Sequence, residues 1–482
     1  MALALPVLLD GRAGWAQAFP PAEHAEGALD LMHLLAGAGL HDIDNEVFNL
    51  YGQLTYISSW KLPFHVDSGS TNANGSPNSL LPGYERSFTG TFTLFFAVRL
   101  WRGGEGYVVP EVISERPLSG LHGIGGAIQN FELQKFGAET PQVYRSRAYL
   151  RQIFDLGGDR VAKTSDPMQL AAVVRSRRLV LTAGQFSILD VFDRNTVTGD
   201  PRQSFLNMAF MTYSSWDFPS DARGYSWGGT AELYWDDWAL RLGRITPPNS
   251  PNQLPVDFRI WKYYGDQIEL EHDHQLGGRH GAIRVLGYRN HVFTASFDDA
   301  IAALAADPAK NAASCGTLFN YGSSNATAPD LCWVRKPNVK LGIGIDVEQM
   351  VGPEIGLFFR GMYSDGRTEV DAFNPADRSV AGGVVAKGTA WGRHSDVAGL
   401  GLGASWISAA HARYLAMGGI DGFIGDGNLR QAAEGILDVF YSASLWGPVW
   451  LSADYQLLWN PGYNANRAGP VNIPGARIHA EF

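Results

Sequence analysis

The stretch that decides the fold is PVWLSADYQLLWN, residues 448–460. Successive side chains of a β-strand point to opposite sides of the sheet, so every second residue shares a face. One face is apolar and consists of Val449, Leu451, Ala453, Tyr455, Leu457 and Trp459. The other face is polar and carries Ser452, Asp454 and Gln456. The stretch is therefore predicted to be a strand that contacts an apolar medium on one side and water on the other.

The same alternation recurs along the chain in segments bounded by Gly, Pro, Asn or Asp. Sixteen segments fit it: 47–58, 88–101, 105–115, 144–155, 177–188, 224–235, 237–246, 264–275, 279–292, 338–350, 353–365, 378–389, 395–408, 434–446, 448–459 and 474–482. Links after even-numbered segments are short, such as RGG, LGGR, VGP and WGP, whereas links after odd-numbered segments are long. Only residues 156–176 depart from this rule.

Alternation of short and long links is typical of antiparallel strands that close into a membrane barrel. Closure is required because every backbone N–H and C=O inside hydrocarbon needs a partner. The fold class is therefore predicted to be all-β, a closed antiparallel transmembrane barrel of about 16 strands with short periplasmic turns and long outer loops. The even number of strands places both chain termini on the periplasmic side.

The composition agrees with this prediction. Among 482 residues, 56 are Gly, 12% are aromatic and 18% are charged, which is richer in Gly and aromatic residues and poorer in charge than an average soluble domain. No run of about 18 apolar residues occurs, which excludes a membrane-spanning helix. Asp and Glu (48) outnumber Lys and Arg (38), and the basic residues are not clustered, which argues against a nucleic-acid partner.

Aromatic residues recur near the ends of the predicted strands, as at Tyr56, Trp101, Trp235 and Trp446. Such residues anchor a barrel at the two membrane interfaces.

The barrel domain is predicted over residues 47–482, with two parts before it. Residues 1–18 contain a short apolar stretch and end in Ala16-Gln17-Ala18, a site of the kind signal peptidase cleaves, although a positive n-region is missing. They are interpreted as a possible signal-peptide remnant, and the alternative is an ordinary disordered N-terminus. Residues 19–46 are predicted to be a periplasmic segment with a short helix, because their apolar residues show helical spacing.

The only two cysteines, Cys315 and Cys332, enclose a polar segment rich in Gly, Ser and Asn. This arrangement predicts a disulfide formed in an oxidising compartment. Two unrelated free thiols are the alternative.

The polar faces of the strands are predicted to line an aqueous lumen, because a barrel of this size leaves a channel. On segment 144–155 the inward set is predicted to be Arg145, Arg147, Tyr149 and Arg151, since such cations would be costly at mid-depth in lipid. Charges of both signs favour neutral, hydroxyl-rich solutes, because sugar hydroxyls donate to carboxylates and accept from guanidinium groups. The alternative is that the charges form a self-satisfied scaffold that holds a loop in place.

Residues 189–225 are too apolar for a flexible surface loop and too long for a structureless one. We predict that they fold into the lumen and narrow it, with Phe192, Phe205 and Trp216 as packing or ring-stacking groups. The candidate channel-lining and constriction residues are Arg99, Glu111, Glu115, Arg145, Arg147, Tyr149, Arg151, Asp190, Asp193, Arg194, Asn195, Asp200, Arg202, Glu232, Arg241, Glu269 and Arg360.

Several long stretches resemble a known family, and together they cover nearly all of the chain from Asn49 onward. They are NLYGQLTYISSWKLPF (49–64), VRLWRGGEGYVVPEV (98–112), RAYLRQIFDLGG (147–158), LTAGQFSILDVFDRNTVTGDPRQSFLN (181–207), RGYSWGGTAELYWDDWALRLG (223–243) and NPGYNANRAGPVNIPGARIHAEF (460–482). On these residues the chain resembles the carbohydrate-selective porins of the OprB type from Gram-negative outer membranes.

The resemblance implies an outer-membrane channel, monomeric or possibly homotrimeric, through which mono- and oligosaccharides and other small hydrophilic solutes diffuse passively. It also implies contact with outer-membrane lipid. The terminal Phe482, which shares a face with Ile478 and Ala480, resembles the signal that barrel assembly machinery reads on a last strand. Residues 467–470 carry one residue more than the family pattern, and the loop between the cysteines is not part of that pattern.

Two other classes of protein share some of these sequence features with a channel. A secreted β-rich protein that binds or cleaves carbohydrate would also use Trp, Tyr and paired acids, but Glu269 and Glu271 share one strand face without distinct environments to separate their roles. A barrel enzyme such as a lipase would need a serine or histidine pair at the lipid edge, and the sequence offers none. We therefore predict no enzymatic activity and no cofactor. His272, His274 and His280 could suggest a metal site, but His272 and His274 share an outward strand face near a rim, so an interface or solvent-exposed role is predicted instead.

Overall fold

The computed structural model of the chain describes residues 30–67, 78–135, 137–199, 202–315, 326–427 and 429–482. The described residues contain sixteen strands. They are β1 (Phe48–Lys61), β2 (Glu85–Trp101), β3 (Gly104–Arg116), β4 (Gln142–Lys163), β5 (Ala172–Phe186), β6 (Ser226–Trp235), β7 (Trp238–Ile245), β8 (Tyr264–Leu276), β9 (Arg279–Thr294), β10 (Lys336–Met350), β11 (Ile355–Ser364), β12 (Arg378–Lys387), β13 (Val397–Trp406), β14 (Glu434–Trp446), β15 (Val449–Trp459) and β16 (Val471–Glu481).

Each strand pairs antiparallel with the next one in sequence, and β16 pairs with β1 to close the barrel. The closing register places Tyr56 opposite Ile478 and Gln53 opposite Glu481. The predicted closed antiparallel barrel of sixteen strands is confirmed. Most strand boundaries lie within a few residues of the predicted ones, and the largest differences are at the end of β4 and the start of β5. Short turns join β2 to β3, β6 to β7, β8 to β9 and β14 to β15, so both ends of the barrel sequence lie at the short-turn rim.

The one predicted exception to the alternation of links was wrong. The sequence pattern predicts a long connection at 156–176, where the alternation requires a short one. In the structure β4 continues through those glycines to Lys163 by way of two register shifts, and β5 begins at Ala172. Both glycines have positive φ (110° and 80°), a conformation that favours Gly and allows the strand to bend without ending. Only residues 164–171 remain as a turn.

Burial is inverted relative to a soluble protein. Outward side chains on the wall are apolar and exposed, for example Leu54 (52%) and Ile343 (58%). By contrast, Arg241, Arg360 and Arg477 are each only 1% exposed and point inward. An apolar outer wall around a charged interior is the arrangement expected for a barrel set in a bilayer.

The helices are short and belong to the segments that precede or connect the strands. They are α1 (Leu31–Gly37), α2 (Met208–Met211), α3 (Phe297–Ala306) and α4 (Ala409–Ala416). Asp30 caps α1, and Met32 packs among the inward side chains Tyr51, Phe95 and Val109 near the short-turn rim. None of the helices in the described ranges is long and apolar enough to cross a membrane. Residues 1–18, with the predicted signal-peptide remnant, and residues 19–29 lie outside the described residues.

Two long connections fill much of the interior: residues 117–141, between β3 and β4, and residues 187–225, between β5 and β6. Phe192, Phe205 and Trp216 of the second connection are almost fully buried, as predicted for packing groups. Inward glycines make room for them. A Cβ atom at Gly243 would lie 3.0 Å from the ring of Phe192, and one at Gly399 would lie 3.0 Å from the ring of Phe205, so a larger residue at either position would crowd these rings.

The outer loops pack over the long-loop rim. Helices α3 and α4 lie side by side, and the ring of Phe297 stacks on His411 with centroids 4.3 Å apart. His411 contacts Asp377 through Nδ1 (3.0 Å) and Asp421 through Nε2 (3.3 Å). In the loop between β9 and β10, Cys315 and Cys332 are paired, with their Cα atoms 6.4 Å apart.

Candidate functional site

A cavity of about 590 Å³ lies between the two in-folded connections and the inner faces of β1 to β4, with further lining residues on β12, β13 and β16. At the long-loop side it is lined by Lys135, Ala372 and Phe423, and at the short-turn side by Lys387 and His394. The cavity therefore has lining residues from both rims of the barrel. Charged and aromatic side chains project into it along its length.

The first charged pair on the cavity wall joins β4 to the in-folded connection. Arg147 donates to both carboxylate oxygens of Asp190, at 2.7 and 2.8 Å. The same carboxylate accepts from the amide of Ser187, which fixes the start of the connection. The guanidinium of Arg147 also lies 5.1 Å from the ring centroid of Tyr225. A bidentate pair of this kind is rigid, because the planar fork of Arg matches the carboxylate geometry.

The second charged pair joins the two in-folded connections. Arg202 lies 3.5 Å from Glu132, and its guanidinium is 5.7 Å from the ring centroid of Phe131. Glu132 accepts from the hydroxyls of Thr89 (2.9 Å) and Thr91 (2.8 Å) on β2. Burial raises the pKa of Glu132, while Arg202 and the two threonine hydroxyls act in the opposite direction. The Glu132 carboxylate thus ties residues 117–141 to the wall and lies next to the Arg202 guanidinium.

Seven of the candidate residues line this cavity: Glu111, Arg147, Asp190, Asp193, Arg194, Asn195 and Arg202. Glu111 accepts from the hydroxyl of Tyr144 on β4. Their part in conduction stays a prediction. Asp200 lies outside the described residues.

A second group of candidates points inward but lies behind residues 187–225, away from the cavity. Arg241 pairs with Glu269 (2.7 Å) and with Glu271 (3.0 Å), and it also lies 3.7 Å from Glu232. Arg360 pairs with Asp193 at 3.1 Å and donates to the carbonyl oxygen of Phe210 at 2.7 Å.

This network anchors the connection to the wall. The amide of Asp193 donates to Glu269 (2.8 Å), and the side-chain amide of Asn195 donates to Asp346 (2.7 Å). Arg284 bridges Asp346 (2.9 Å) and Glu348 (3.3 Å). These contacts agree with the alternative that many inward charges hold a loop in place.

Other inward candidates serve different parts of the interior. Glu115 accepts from the amide of Gln134 at 2.8 Å and so fixes residues 117–141. Tyr149 and Arg151 belong to a stack near the short-turn rim, where the Arg151 guanidinium is 5.5 Å from the Tyr149 ring. Arg99 donates to Asn45 (2.8 Å) and to the carbonyl oxygen of Ala171 (3.0 Å), which ties the N-terminal segment to the β4–β5 turn.

The assignment of Arg145 to the lumen was wrong. The pairing of β3 with β4 shifts register between Val109 and Pro110, so Val109 lies opposite Arg147 and Pro110 opposite Arg145. The extra residue reverses the alternation on β4 beyond the bulge. Arg145 is therefore exposed on the outer wall, where its guanidinium lies 5.4 Å from the Trp227 ring.

The sequence interpretation missed the contribution of residues 117–141, which supply Phe131, Glu132 and Lys135 to the cavity. The signal was present, because this connection is also long and rich in apolar residues and glycine. The same length argument that predicted an in-folded loop at 189–225 applies to it. Tyr225 and Arg223, at the end of the second connection, were also missed.

The architecture and the cavity can be compared with known proteins. A model of the family described as carbohydrate-selective porin, OprB family, matches residues 91–482. A comparison with curated protein sequences gave no match.

Among solved structures, the chain is similar to Pseudomonas putida OprB at high pH, with 13% identity, coverage of 90% of this chain and 94% of that chain, and a TM-score of 0.62. The low-pH structure of the same protein gives 11% identity, 95% and 99% coverage and a TM-score of 0.46. The outer membrane channel DcaP of Acinetobacter baumannii gives 10% identity, 90% and 97% coverage and a TM-score of 0.45.

At such identities the first of these structures supports the fold alone. The family match establishes membership of the family as well, because residues 91–482 are well over half of the 482-residue chain. The predicted membership, outer-membrane location and channel function are thereby confirmed. The chain belongs to the carbohydrate-selective porin family of the OprB type and is an outer-membrane channel for the diffusion of saccharides.

Proposed function

We propose that saccharides cross the barrel through the cavity between residues 117–141, residues 187–225 and the wall of β1 to β4. The observation that carries this proposal is the pairing of opposite charges along that cavity, Arg147 with Asp190 and Arg202 with Glu132. Each pair offers a hydrogen-bond donor beside an acceptor. A sugar hydroxyl can act in both roles, so it is suited to contact such pairs in sequence.

The same pairs explain a preference for neutral solutes. Because each guanidinium lies close to a carboxylate, the local net charge is small, and a passing ion gains little from either member. Tyr225 and Phe131 lie beside the pairs and offer ring faces to the apolar side of a pyranose. Selectivity then depends on hydroxyl contacts and width rather than on net charge.

The anchoring network supports the proposal by keeping the path at a fixed width. Residues 187–225 are held by contacts to Glu269 on β8, Asp346 on β10 and Arg360 on β11. A free loop of that length would fluctuate and block the lumen intermittently. We therefore assign Glu232, Arg241, Glu269 and Arg360 to support of the constriction rather than to contact with solute.

Liposome swelling tests the proposal. We expect Arg147→Gln to slow the entry of mono- and disaccharides by roughly tenfold, the scale of one lost hydrogen bond to a charged group. Arg145→Gln is the matched control, because Arg145 is two residues away on the same strand but faces outward. Equal rates for the two variants with every sugar would contradict the path proposed here.

We also propose that the chain has no enzymatic activity, in keeping with its membership of a family of channels. Incubation of the purified protein with maltose and with short glucose oligomers should leave the sugars intact. Release of glucose would support the alternative of a carbohydrate-cleaving protein.

The domain organisation and the remaining partners belong to the same proposal. Residues 1–18 are assigned to a signal-peptide remnant, 19–46 to a periplasmic segment and 47–482 to the barrel. Phe482 is assigned to recognition by barrel assembly machinery, the apolar wall to contact with lipid, and a homotrimer is the proposed assembly. Cross-linking in native membranes, followed by mass measurement, tests the homotrimer directly.

A further inference from the structure

A group of cations and aromatic rings lies on the outer wall at the long-loop rim, between β4 and β9. We call it the rim patch and define it as Arg145, Trp227, Arg244, Trp261, Lys262 and Arg289. Its side chains face away from the lumen, so the permeation path does not use them. Trp261 is 84% exposed, the largest value among the large apolar side chains in the described residues.

The rim patch is ordered by contacts between cations and rings. The Arg145 guanidinium lies 5.4 Å from the Trp227 ring. The Arg244 guanidinium lies 4.0 Å from Tyr264 and 5.8 Å from Trp261, and Arg289 shares the Tyr264 ring at 5.4 Å. Such contacts restrain long side chains that would otherwise be mobile, so a ligand loses less entropy on binding them.

The positive charge of the rim patch is only partly neutralised. Arg244 pairs with Asp266 at 2.7 Å. Arg145 and Arg289 donate instead to neutral groups, the side-chain carbonyl of Gln185 and the hydroxyl of Tyr264. Among the described residues, no carboxylate lies within 4.0 Å of the charged nitrogens of Arg145, Lys262 or Arg289. Asp266 lies opposite Arg289 in the pairing of β8 with β9, and Asp257 interacts electrostatically with Lys262. These carboxylates reduce the positive charge of the patch, but none forms a direct ion pair with the three cations, which leaves their charged groups accessible to an anion from outside the chain.

The position of the rim patch along the membrane normal follows from β9. Arg289 and Arg279 lie on the same outward face of this strand, ten residues apart, which corresponds to about 33 Å along the strand. The outward residues between them include Ile283 and Val285, both exposed and apolar. Because barrel strands tilt by about 40°, this length corresponds to about 25 Å along the membrane normal, which is the height of the apolar band of a barrel. Arg289 therefore lies at the level of the headgroups of the outer leaflet.

We propose that the rim patch binds the phosphate groups of a phosphorylated lipid of the outer leaflet. Guanidinium groups match phosphate oxygens bidentately, and interfacial tryptophans pack against the headgroup region. The three cations that form no direct ion pair supply the charge complementarity. Binding at this site is independent of the saccharide path, because the patch and the cavity are on opposite sides of the wall.

The proposal can be tested by native mass spectrometry of the full chain in dodecyl maltoside micelles. The probes are lipid A with two phosphates, the same lipid with both phosphates removed, and inorganic phosphate. The variant Arg145→Gln/Lys262→Gln/Arg289→Gln removes the available cations. The control variant Arg160→Gln/Arg175→Gln/Arg279→Gln removes the same charge from the short-turn side.

We expect the rim-patch variant to bind diphosphorylated lipid A roughly a hundredfold more weakly, about fivefold for each cation removed. The control variant should bind diphosphorylated lipid A with an affinity close to that of the wild type. The dephosphorylated lipid should bind the wild-type chain only weakly. Equal losses in the two variants, or equal affinity for both lipids, would overturn the proposal. If inorganic phosphate displaced lipid A at a concentration close to the Kd of phosphate for the lipid-free protein, the patch would be a site for free anions. That result would also overturn the proposal.

Folding is checked by heat-modifiable migration on a gel, which reports the closed barrel. If the triple variant does not fold, Arg289→Gln alone should lower the affinity about fivefold, and Arg279→Gln should not.

Discussion

Gly52 and Phe482 close the barrel through a reciprocal pair of backbone hydrogen bonds. The amide of Gly52 donates to the carbonyl oxygen of Phe482 at 2.7 Å, and the amide of Phe482 donates to that of Gly52 at 2.9 Å. The Phe482 ring lies over Gly52 and stacks on Phe92 with centroids 6.1 Å apart. The last residue of the chain thus completes the seam between the first and last strands and covers it on the lipid side.

A side chain at Gly52 should impair closure. A Cβ atom there would lie 2.2 Å from the Phe482 ring, so Gly52→Ala should displace the ring and lower the fraction of heat-modifiable, folded protein. Gly90→Ala is the control, because a Cβ at this outward glycine of the adjacent strand would be 3.6 Å from Tyr56, an ordinary contact. The double variant Gly52→Ala/Phe482→Ala should fold no worse than Phe482→Ala alone. An additive loss would show that the two residues do not interact.

Removal of Arg360 should release the in-folded connection. Arg360 is buried and holds Asp193, Thr198 and the backbone of Phe210. Breaking a buried pair from one side costs about 3–5 kcal/mol, so Arg360→Met should let the segment move and raise single-channel conductance and noise in planar bilayers. Arg378→Met, an exposed arginine on the adjacent strand, should leave conductance unchanged. A quiet channel of wild-type conductance in Arg360→Met would contradict the anchoring role.

The Cys315–Cys332 pair should be a disulfide that stabilises the outer loop. Peptide mapping without reductant should recover the two cysteines in one linked peptide. Closing a loop with a sequence separation of 17 is worth about 3 kcal/mol in chain-entropy terms. Reduction should therefore speed proteolysis within this loop while the barrel stays heat-modifiable. Two separately alkylated cysteines in unreduced protein would favour free thiols.

The packing of the outer loops should depend on pH through Asp421. Burial raises the pKa of this carboxyl from its ordinary value of 3.8 to about 7, although His411 acts in the opposite direction. The packed loop therefore favours protonated Asp421, and this contribution to stability is lost as the pH rises from 3.8 towards 7.

Tryptic cleavage at the exposed Arg430 measures this loss. The cleavage rate relative to that of Asp421→Asn should rise roughly tenfold between pH 6 and pH 7.5. The variant corrects for the pH dependence of trypsin, since it has no titrating group at position 421. A constant ratio would show that Asp421 does not titrate in this range.

Much of the barrel could be predicted because its signals are local. Alternation along 448–460 predicts one strand, and repeated alternation with short and long links predicts closure. The outward position of Arg145 could not be predicted, because a bulge opposite Pro110 depends on pairing between strands rather than on the sequence of β4 alone. A single extra residue reverses every side chain beyond it.

The inner network was less predictable than the wall. Arg360 and Asp193 are 167 residues apart, and nothing in the sequence near either residue indicates the pairing. Charges that line a path and charges that hold a loop have the same spacing on a strand. Only the position of residues 187–225 separates Arg147, which borders the cavity, from Arg241, which lies behind the loop.

The Arg147–Asp190 pair should set the ion selectivity of the channel. The direction in which the reversal potential shifts should depend on which residue of the pair is neutralised. Arg147→Gln leaves Asp190 unpaired on the path, so the reversal potential in a KCl gradient should shift towards cation selectivity. Asp190→Asn leaves Arg147 unpaired and should shift it towards anion selectivity. In Arg147→Gln/Asp190→Asn both charges are gone, and the potential should return close to the wild-type value. Shifts of the same sign in both single variants, or none in either, would place the pair outside the conducting path.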